Sequence, residues 1–400
     1  MTPRNPPLPL DEAQARLLAL APAIPVEWRD AADAAGYFLA EPLLARRDQP
    51  AAPLSAMDGF AMRAADLPGP WKLVGESAAG NPFAGMVGAG EAVQISTGAV
   101  VPPGADMVLV KEDTGVDGRT LNLCGTPPDP TGRHIRPRGM DFADGDAILP
   151  AGWRIEAAAI GLALAAGHER LPVRRAIRLT VIDGGDELAA PGTVPGLHQI
   201  PASNGPMLAA LATRLPVVAT RSGPVPDRLD ALIAAFEAAR DADVIVTSGG
   251  ASVGDHDLIR PALAAMGVEI DFWRVGIKPG KPLLVARRGA QVILGLPGNP
   301  ASAWVTGFLF LLPLLRTALG AAAPLPRTIP IPLATPMPKG GGRMEFLRAH
   351  WDGARVALDP LQDSGALSPL ARSNALIVRA AGADPAPAGT PVSVYLTGID

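Results

Sequence analysis

The sequence is poor in features that mark several common classes of protein. It has one cysteine, Cys124, in 400 residues, which excludes an internal disulfide framework or a cysteine-based zinc site and fits a reducing, cytoplasmic compartment. Lysine and arginine total 35 against 39 aspartate and glutamate, a net charge of −4, so no bulk basic surface for nucleic acid is indicated. The five histidines lack metal-ligand spacing, and a Ser-His-Asp set, a Walker A loop and a Rossmann glycine fingerprint are missing.

Long apolar runs are scarce as well. Residues 1–10 carry four prolines and one arginine without an apolar run, which is unlike a signal peptide. The most apolar stretch, residues 301–315, is interrupted by Thr306, Gly307 and Pro313 and is shorter than the roughly 18 to 20 residues that a bilayer requires. We therefore expect a buried helix there and no membrane contact.

Glycine and proline, in contrast, contribute 44 residues each, which predicts many short elements joined by defined turns. The length predicts two to four domains, and short β-like runs interrupt two helix-containing stretches. The predicted architecture is a multidomain α/β and β protein with these parts: an extended N-terminal lobe (1–50 plus 141–176), an inserted β-rich lobe (51–140), a doubly wound α/β domain (177–322) and a C-terminal β-barrel (323–400).

The α/β domain is predicted from alternating strands and helices. Residues 177–182 and 243–247 are apolar strands, and residues 227–240 show the spacing of an amphipathic helix. This alternation indicates a parallel sheet that binds ligands at the carboxyl ends of its strands. Asp11 and Asn204 are expected to cap the helices that follow them.

Three glycine-containing turns in this domain suit an anion. Residues 247–257 follow a buried strand, so main-chain N–H groups can approach a phosphate while Asp257 suits Mg²⁺. Residues 278–282 hold two lysines whose charges repel unless an anion lies between them, and residues 296–302 form a turn at a helix start. Each motif alone is explained about as well by an ordinary turn, but their strands are predicted to end at one edge.

Acidic residues lie near the same edge. Asp186 and Glu187 follow the first strand, and Asp227 begins the amphipathic helix, where a helix cap is the simpler interpretation. Together with Asp257, they suit a divalent ion bound over a phosphoanhydride. The polar tips at residues 55–60 and 96–99 of the β lobe are interpreted as turns.

Six motifs occur in the order found in one family: SAMDGFA at 55–61, TGA to PGAD at 97–106, GDEL at 185–188, TSGG to Asp257 at 247–257, KPGKP at 278–282 and LPGNP at 296–300. Over nearly the whole chain, the sequence resembles the molybdopterin molybdenumtransferases of the MoeA type, which are similar to the E domain of gephyrin. The resemblance implies a magnesium-dependent last step of molybdenum cofactor synthesis, in which molybdate enters adenylylated molybdopterin and AMP is released.

The resemblance also implies a homodimer whose cleft joins the molybdopterin-binding α/β domain of one subunit to the β lobe of the other. Contacts with molybdopterin adenylyltransferase and with apo-molybdoenzymes are further expectations. Molybdate would be held by Lys278, Lys281, Pro282 and Ser302. Arg348 and Ser368 would close that pocket from the C-terminal domain.

Further roles follow from the same resemblance. The residues expected to hold Mg²⁺ and act in catalysis are Glu187, Asp227 and Asp257, and the catalytic residues expected from the β lobe are Asp58 and Thr97. The remaining substrate contacts would come from Arg136, Asp141, Ser248, Gly249, Gly250, Pro297 and Asn299.

Two positions depart from the family pattern. Gly184 stands where the family usually has threonine, which is expected to remove one hydroxyl contact, and Arg274 stands where it often has lysine. Two other functions stay open. One is the related adenylyltransferase, which needs only the central domain, and the other is a non-catalytic scaffold, which the intact carboxylates and lysines disfavour.

Overall fold

The computed structural model describes residues 7–249 and 258–398, with the side chains of residues 272 and 273 left aside. Up to residue 174, the helices and strands are α1 (Leu10–Ala19), β1 (Val26–Asp30), β2 (Leu43–Leu44), β3 (Leu54–Ser55), β4 (Gly59–Met62), β5 (Trp71–Ser77), β6 (Glu91–Ile95), β7 (Met107–Val110), β8 (Thr114–Asp117), β9 (Thr120–Leu123), β10 (Ile135–Arg136), β11 (Ala147–Leu149), α2 (Ala157–Ala165) and β12 (Arg170–Arg174).

Strands β4 to β9 form the sheet of the inserted lobe, in the order β7-β4-β6-β5-β9-β8. Trp71 is 1% exposed and packs with Met62 and Leu109 in its core. The chain enters and leaves the lobe side by side, because the Asp141 N–H donates to the carbonyl oxygen of Gln49 at 2.9 Å. The β-like runs predicted from the sequence are therefore strands of one sheet.

The α/β domain follows. Its elements are β13 (Ile177–Gly184), β14 (Leu188–Ala189), β15 (Ile200–Pro201), α3 (Asn204–Ala212), β16 (Val217–Val225), α4 (Leu229–Ala238), β17 (Val244–Ser248), α5 (Ile259–Ala265), β18 (Glu269–Arg274), β19 (Ile277–Lys278), β20 (Pro282–Arg288), β21 (Gln291–Leu296), α6 (Pro300–Thr306), a π-helical segment (Gly307–Leu311) and α7 (Leu312–Ala318).

The central sheet has the order β16-β13-β17-β21-β20-β18 and is mixed rather than purely parallel. Strands β16, β13, β17 and β21 are parallel, whereas β20 is antiparallel to both β21 and β18. The expectation of a wholly parallel sheet was wrong because a tight turn at Gly289 joins β20 to β21, and so short a connection permits only an antiparallel pair. This reversal brings the start of β20 to the edge where β17 and β21 end.

The longest helical stretch, Pro300–Ala318, lies in the main core. It is the one helix in the described part of the chain that is long and apolar enough to cross a membrane, yet 83% of its most apolar window is buried. Its partners include Leu17 of α1 and Leu208 of α3. The predicted buried helix is confirmed, and it is longer than the apolar run suggested.

The C-terminal domain contains β22 (Ile329–Pro332), β23 (Met344–Trp351), β24 (Val356–Leu358), α8 (Leu367–Arg372), β25 (Ala375–Arg379) and β26 (Pro391–Leu396). The sheet order is β19-β23-β25-β26-β22, with β24 paired to β23. A bridge from Leu333 to Val356 links the end of β22 to β24 and closes the barrel. Strand β19, which precedes this domain by about 50 residues of chain, is thus part of its sheet.

The predicted helix caps differ in detail from the observed ones. Asp11 lies inside the first turn of α1, whose cap position is Pro9. Asn204 is the first residue of α3 and donates its amide to the carbonyl oxygen of Gly298 instead. Asp11 therefore lies two residues beyond the observed cap position, within the usual uncertainty of helix ends, and Asn204 is engaged by a tertiary contact with Gly298.

Candidate active site

Two glycine turns meet at the ends of neighbouring strands. The turn after β17 contains Gly249, which has φ +95°, and the turn after β21 contains Gly298. A β-carbon at Gly298 would lie only 3.4 Å from the Cα of Gly249. The two backbones therefore pack directly against each other, as the parallel pairing of β17 and β21 requires.

A cleft of about 660 Å³ opens beside these turns. Its lining includes five residues that the sequence proposed for substrate or metal: Glu187, Gly249, Pro282, Pro297 and Asn299. Gly365 and Leu367 of the C-terminal domain complete one wall. Ser248, which is 3% exposed, lines a smaller pocket that continues from this cleft.

The turn between β19 and β20 carries the two lysines. Gly280 has φ +103°, and a β-carbon there would lie 2.5 Å from Cγ2 of Thr306 in α6. The turn is therefore packed against the C-terminal end of α6, with Pro282 in the cleft wall. Lys281 is exposed beside Pro282, and Ser302 is buried in the first turn of α6, so both flank the cleft without forming its lining.

Lys278 has an ionic partner that sequence reasoning missed. Its Nζ donates to Oε1 of Glu345 at 3.0 Å, because β19 pairs in parallel with β23 and sets the two residues opposite each other. Burial raises the pKa of Glu345, but hydrogen bonds from Lys278 and the Gly341 N–H outweigh it and hold that pKa below 4.5. The repulsion expected between the two lysines is thus partly neutralised by the C-terminal domain.

The acidic residues form a hydrogen-bonded pair at the same edge. The Asp186 N–H donates to Oδ2 of Asp227 at 3.3 Å, and the Asp227 N–H donates to Oδ1 of Asp186 at 3.1 Å. Asp227 is two residues before α4, so it is not its cap. Glu187 lines the cleft next to this pair.

Carboxylate oxygens are the donors that Mg²⁺ prefers, so Glu187 and Asp227 suit it chemically. Asp257 and Gly250, which the sequence also proposed, lie outside the described residues. Within residues 7–249 and 258–398, no group of three His, Cys, Asp or Glu side chains could hold a metal ion. The described part of the chain therefore supplies two of the three proposed ligands.

A loop of the C-terminal domain rests on the start of α6. The Ala301 N–H donates to the carbonyl oxygen of Ser364 at 3.0 Å, and Nδ2 of Asn299 donates to Oγ of Ser364 at 3.0 Å. Arg348 holds this loop, because its guanidinium donates to the carbonyl oxygens of Leu361 and Asp363.

Arg348 itself is only 1% exposed, and burial lowers its pKa against the attraction of Asp359 and Asp363. Arg348 lies behind the cleft wall, where it holds the loop that contains Leu361 and Asp363. Ser368 is exposed in the first turn of α8, next to Leu367 of the cleft lining. The structure thus places Ser368 nearer to the cleft surface than Arg348.

The proposed residues of the β lobe and its border lie outside this cleft. Oδ1 of Asp58 accepts hydrogen bonds from the Thr97 N–H at 2.6 Å and from Oγ1 of Thr97 at 2.8 Å, and these lower the pKa of Asp58. Arg136 on β10 and Asp141 beyond it are exposed. None of these four residues belongs to the cleft lining within one chain.

Three family models match successive parts of this chain. Residues 8–167 match the family model of the MoeA N-terminal region (domains I and II), residues 180–317 match a probable molybdopterin binding domain, and residues 330–397 match the MoeA C-terminal region (domain IV). Proteins named molybdopterin molybdenumtransferase from Haemophilus influenzae and Staphylococcus aureus (strain Mu50) are 32% and 31% identical, over 93% and 98% of this chain and 94% and 96% of their own lengths.

The chain belongs to the MoeA family of molybdopterin molybdenumtransferases. A solved structure of the molybdopterin biosynthesis moeA protein from Pyrococcus horikoshii OT3 superimposes with a TM-score of 0.85 at 25% identity, covering 98% of this chain and 100% of that one. The family and the multidomain fold class predicted from the sequence are confirmed.

The two departures from the MoeA pattern both lie near the cleft. Gly184 lines the small pockets beside Gly249, and a β-carbon there would have 3.8 Å to Leu232, so the site has room for a larger residue. Arg274 pairs with Pro282 across β18 and β20. Gly184 thus lines the pockets beside the cleft, and Arg274 lies opposite a residue of the cleft wall.

One further residue in this MoeA cleft was not proposed from the sequence. Asp183 is 7% exposed at the end of β13 and lines the smaller pocket with Ser248 and Asn204. Burial raises its pKa, opposed by the Gly205 N–H and by Arg221. In the sequence, the one feature that could have identified Asp183 is that it is an acidic residue at the end of a predicted apolar strand.

Proposed function

We propose that the chain inserts molybdate into adenylylated molybdopterin and releases AMP, the last step of molybdenum cofactor biosynthesis. The observation that carries the proposal is the cleft, in which anion-binding glycine turns, the Lys278 to Pro282 turn and a carboxylate-bearing edge adjoin one another. The names of the relatives support the transferase class. The cleft volume suits a ligand of this size.

Molybdate is a tetrahedral dianion, and Lys278, Lys281, Pro282 and Ser302 are proposed to hold it. An ammonium group has three donors, so Lys278 can bind Glu345 and an oxyanion together. Lys281 is exposed and adds a second positive charge. Arg348 fixes the loop behind this pocket, and Ser368 offers a hydroxyl at its rim.

Glu187, Asp227 and Asp257 are proposed to bind Mg²⁺. When bound, the ion would supply positive charge that stabilises the phosphate oxygens as the phosphoanhydride bond breaks. The Asp186–Asp227 hydrogen bonds fix the carboxylates beforehand. Ser248, Gly249, Gly250, Pro297 and Asn299 would bind and orient the nucleotide and phosphates through main-chain and side-chain donors.

A second copy of the chain is proposed to complete the site. Asp58, Thr97, Arg136 and Asp141 do not reach the cleft of their own chain, so a homodimer would bring them to the cleft of the partner subunit. Isologous dimers place such a patch at both sites at once. Contacts with molybdopterin adenylyltransferase and apo-molybdoenzymes, and a cytoplasmic location, complete the proposal.

The test is a reconstitution. Purified protein, adenylylated molybdopterin, molybdate and Mg²⁺ should yield AMP and a cofactor that activates an apo-molybdoenzyme. Lys281→Met should raise the KM for molybdate about 10-fold or more, while the matched control Lys72→Met, on an exposed position of β5, should not. Absence of both products in the wild type would contradict the proposal, and ATP consumption with free molybdopterin would point to an adenylyltransferase.

A further inference from the structure

A buried carboxylate in the small pocket beside the cleft lacks a full set of partners within residues 7–249 and 258–398. Asp183 is more than nine-tenths buried. Its Oδ2 packs so closely against Gly205 that a β-carbon added to Gly205 would lie only 2.0 Å from it. Oδ2 faces the first turn of α3, where the Gly205 N–H donates to the carboxylate. Oδ1 is buried and accepts no hydrogen bond from any residue that the structure describes.

The neighbouring Asn204 presents the same kind of atom. Its Nδ2 donates to the carbonyl oxygen of Gly298 at 2.6 Å, which fixes the orientation of the amide. Its Oδ1 is buried and likewise has no donor within the described parts of the chain. Both side chains line one pocket of about 30 Å³, which shares Glu187 and Gly249 with the main cleft.

Two buried acceptors call for a ligand that supplies donors. A buried polar group without a partner is costly, so a ligand with N–H groups at this point gains more than one without them. The negative charge of Asp183 disfavours phosphate and molybdate, and the pocket volume admits only the edge of a ring or a water molecule. Ser203 and Ser248 line the same pocket, and their hydroxyl groups can either donate or accept a hydrogen bond.

The pterin ring has an edge of this kind, since its 2-amino group and the adjacent ring N–H are two neighbouring donors. The adenine edge alternates donor and acceptor and does not match. We infer that Asp183 and Asn204 form a subsite that binds the 2-amino group and the adjacent ring N–H of the pterin and so sets the direction in which molybdopterin lies in the cleft. This inference rests on the proposed function, because it names the part of that substrate held here.

The test uses the full-length protein and two fluorescent probes. One is a 6-substituted pterin, and the other is the matching lumazine, in which oxygen replaces the 2-amino group. The wild type should bind the pterin about 10-fold or more tightly than the lumazine. Asp183→Asn keeps an oxygen for the Gly205 N–H but turns an NH₂ donor towards the ligand, so the preference should disappear or reverse.

Two further variants serve as a test of the second acceptor and as a control. Asn204→Ala should reduce the pterin preference by a smaller factor, since one of two acceptors remains. Asp230→Asn, on an exposed position of α4, should leave it unchanged. Melting temperatures check that each variant folds, and a structural role of Asp183 alone would change the melting temperature without changing the ratio of the two affinities.

The outcomes are separable. An unchanged pterin-to-lumazine ratio in Asp183→Asn, no discrimination in the wild type, or a loss confined to AMP binding would overturn the subsite. A wild type that discriminates the probes but yields no AMP in the reconstitution would refute the proposed function alone. An active wild type with an unaltered ratio in Asp183→Asn would refute the subsite alone.

Discussion

Lys278 of the α/β domain lies opposite Glu345 of the C-terminal barrel, with 3.0 Å between Nζ and Oε1. The parallel pairing of β19 with β23 sets this distance. One ammonium group therefore joins the proposed molybdate pocket to another domain, and its surroundings can be tested from both sides.

Glu345→Gln should raise the KM for molybdate about 3-fold, because Lys278 loses the charge that fixes its position while the new side-chain amide oxygen can still accept from the Gly341 N–H. The melting temperature should fall by about 2 °C at pH 7, since Lys278 is half exposed and the pair is screened. The pKa of Glu345 is lower in the folded than in the unfolded chain. The stabilisation by the ion pair is therefore fully present at pH values above the unfolded-state pKa and is lost as the pH falls through the folded-state pKa. Thermal unfolding at a series of pH values should show the difference in melting temperature between wild type and variant disappear in acid. A lower KM for molybdate in the variant would mean that Glu345 competes with molybdate.

Asp227→Asn should lower kcat about 100-fold or more while leaving the melting temperature nearly unchanged. The amide oxygen can still accept from the Asp186 N–H, so the local turn should persist. The assay is AMP release over a range of Mg²⁺ concentrations. Asp230→Asn, at an exposed aspartate paired with Arg228, is the matched control, and equal activity of the two variants would remove Asp227 from the metal site.

Gly280→Ala should both destabilise the chain and weaken molybdate binding. The residue has φ +103°, and its β-carbon would meet Thr306 at 2.5 Å, so the turn must move. Gly289→Ala is the control, because Gly289 has φ +60° with nothing within 4 Å of the added atom. Its cost should be about 1 kcal/mol, against about 2–3 kcal/mol at Gly280, in thermal unfolding. Equal costs would show that the contact with α6 does not matter.

Asp243→Asn should remove on the order of 2 kcal/mol of stability at neutral pH. Burial raises the pKa of Asp243, but hydrogen bonds from Arg175 and Arg178 outweigh it and lower that pKa to about 2. The folded value is below the ordinary 3.8, so the contribution is present above pH 4 and lost as the pH falls towards 2. Unfolding at a series of pH values should show the two proteins converge in acid, and a constant difference would contradict this.

Mixing two inactive variants should restore activity if subunits share sites. Asp58→Ala removes a residue proposed to act across the dimer, and Asp227→Asn removes one proposed to act within the chain. Co-expressed subunits that pair at random should give about a quarter of wild-type activity, since half the dimers are mixed and each has one intact site. The AMP-release assay on the purified mixture decides, and no recovery would place both residues in one subunit's site.

Much of this architecture was predictable from local pattern. Buried strands such as β17 and amphipathic helices such as α4 follow from hydrophobic spacing. The meeting of the turns at Gly249 and Gly298 follows from the parallel sheet rule. These features depend on residues that are close in sequence or on general rules of topology.

What could not be predicted depends on partners far apart in the chain. Glu345 finds Lys278 across 67 positions, and Asp186 finds Asp227 across 41. Asp183 is unremarkable in sequence and becomes notable only because burial leaves one oxygen without a donor among the residues that the structure describes. The antiparallel reversal at Gly289 was missed because turn residues mark a connection without giving the direction of the sheet beyond it.

The two-residue strand β19 makes the lysine turn a shared part of two domains. The ammonium of Lys278 is held by Glu345 of the C-terminal domain, so an oxyanion bound as proposed at Lys278 would contact a group that two domains position together. If binding of the proposed oxyanion depends on the position of the C-terminal domain, thermodynamic linkage requires that binding also stabilise that position.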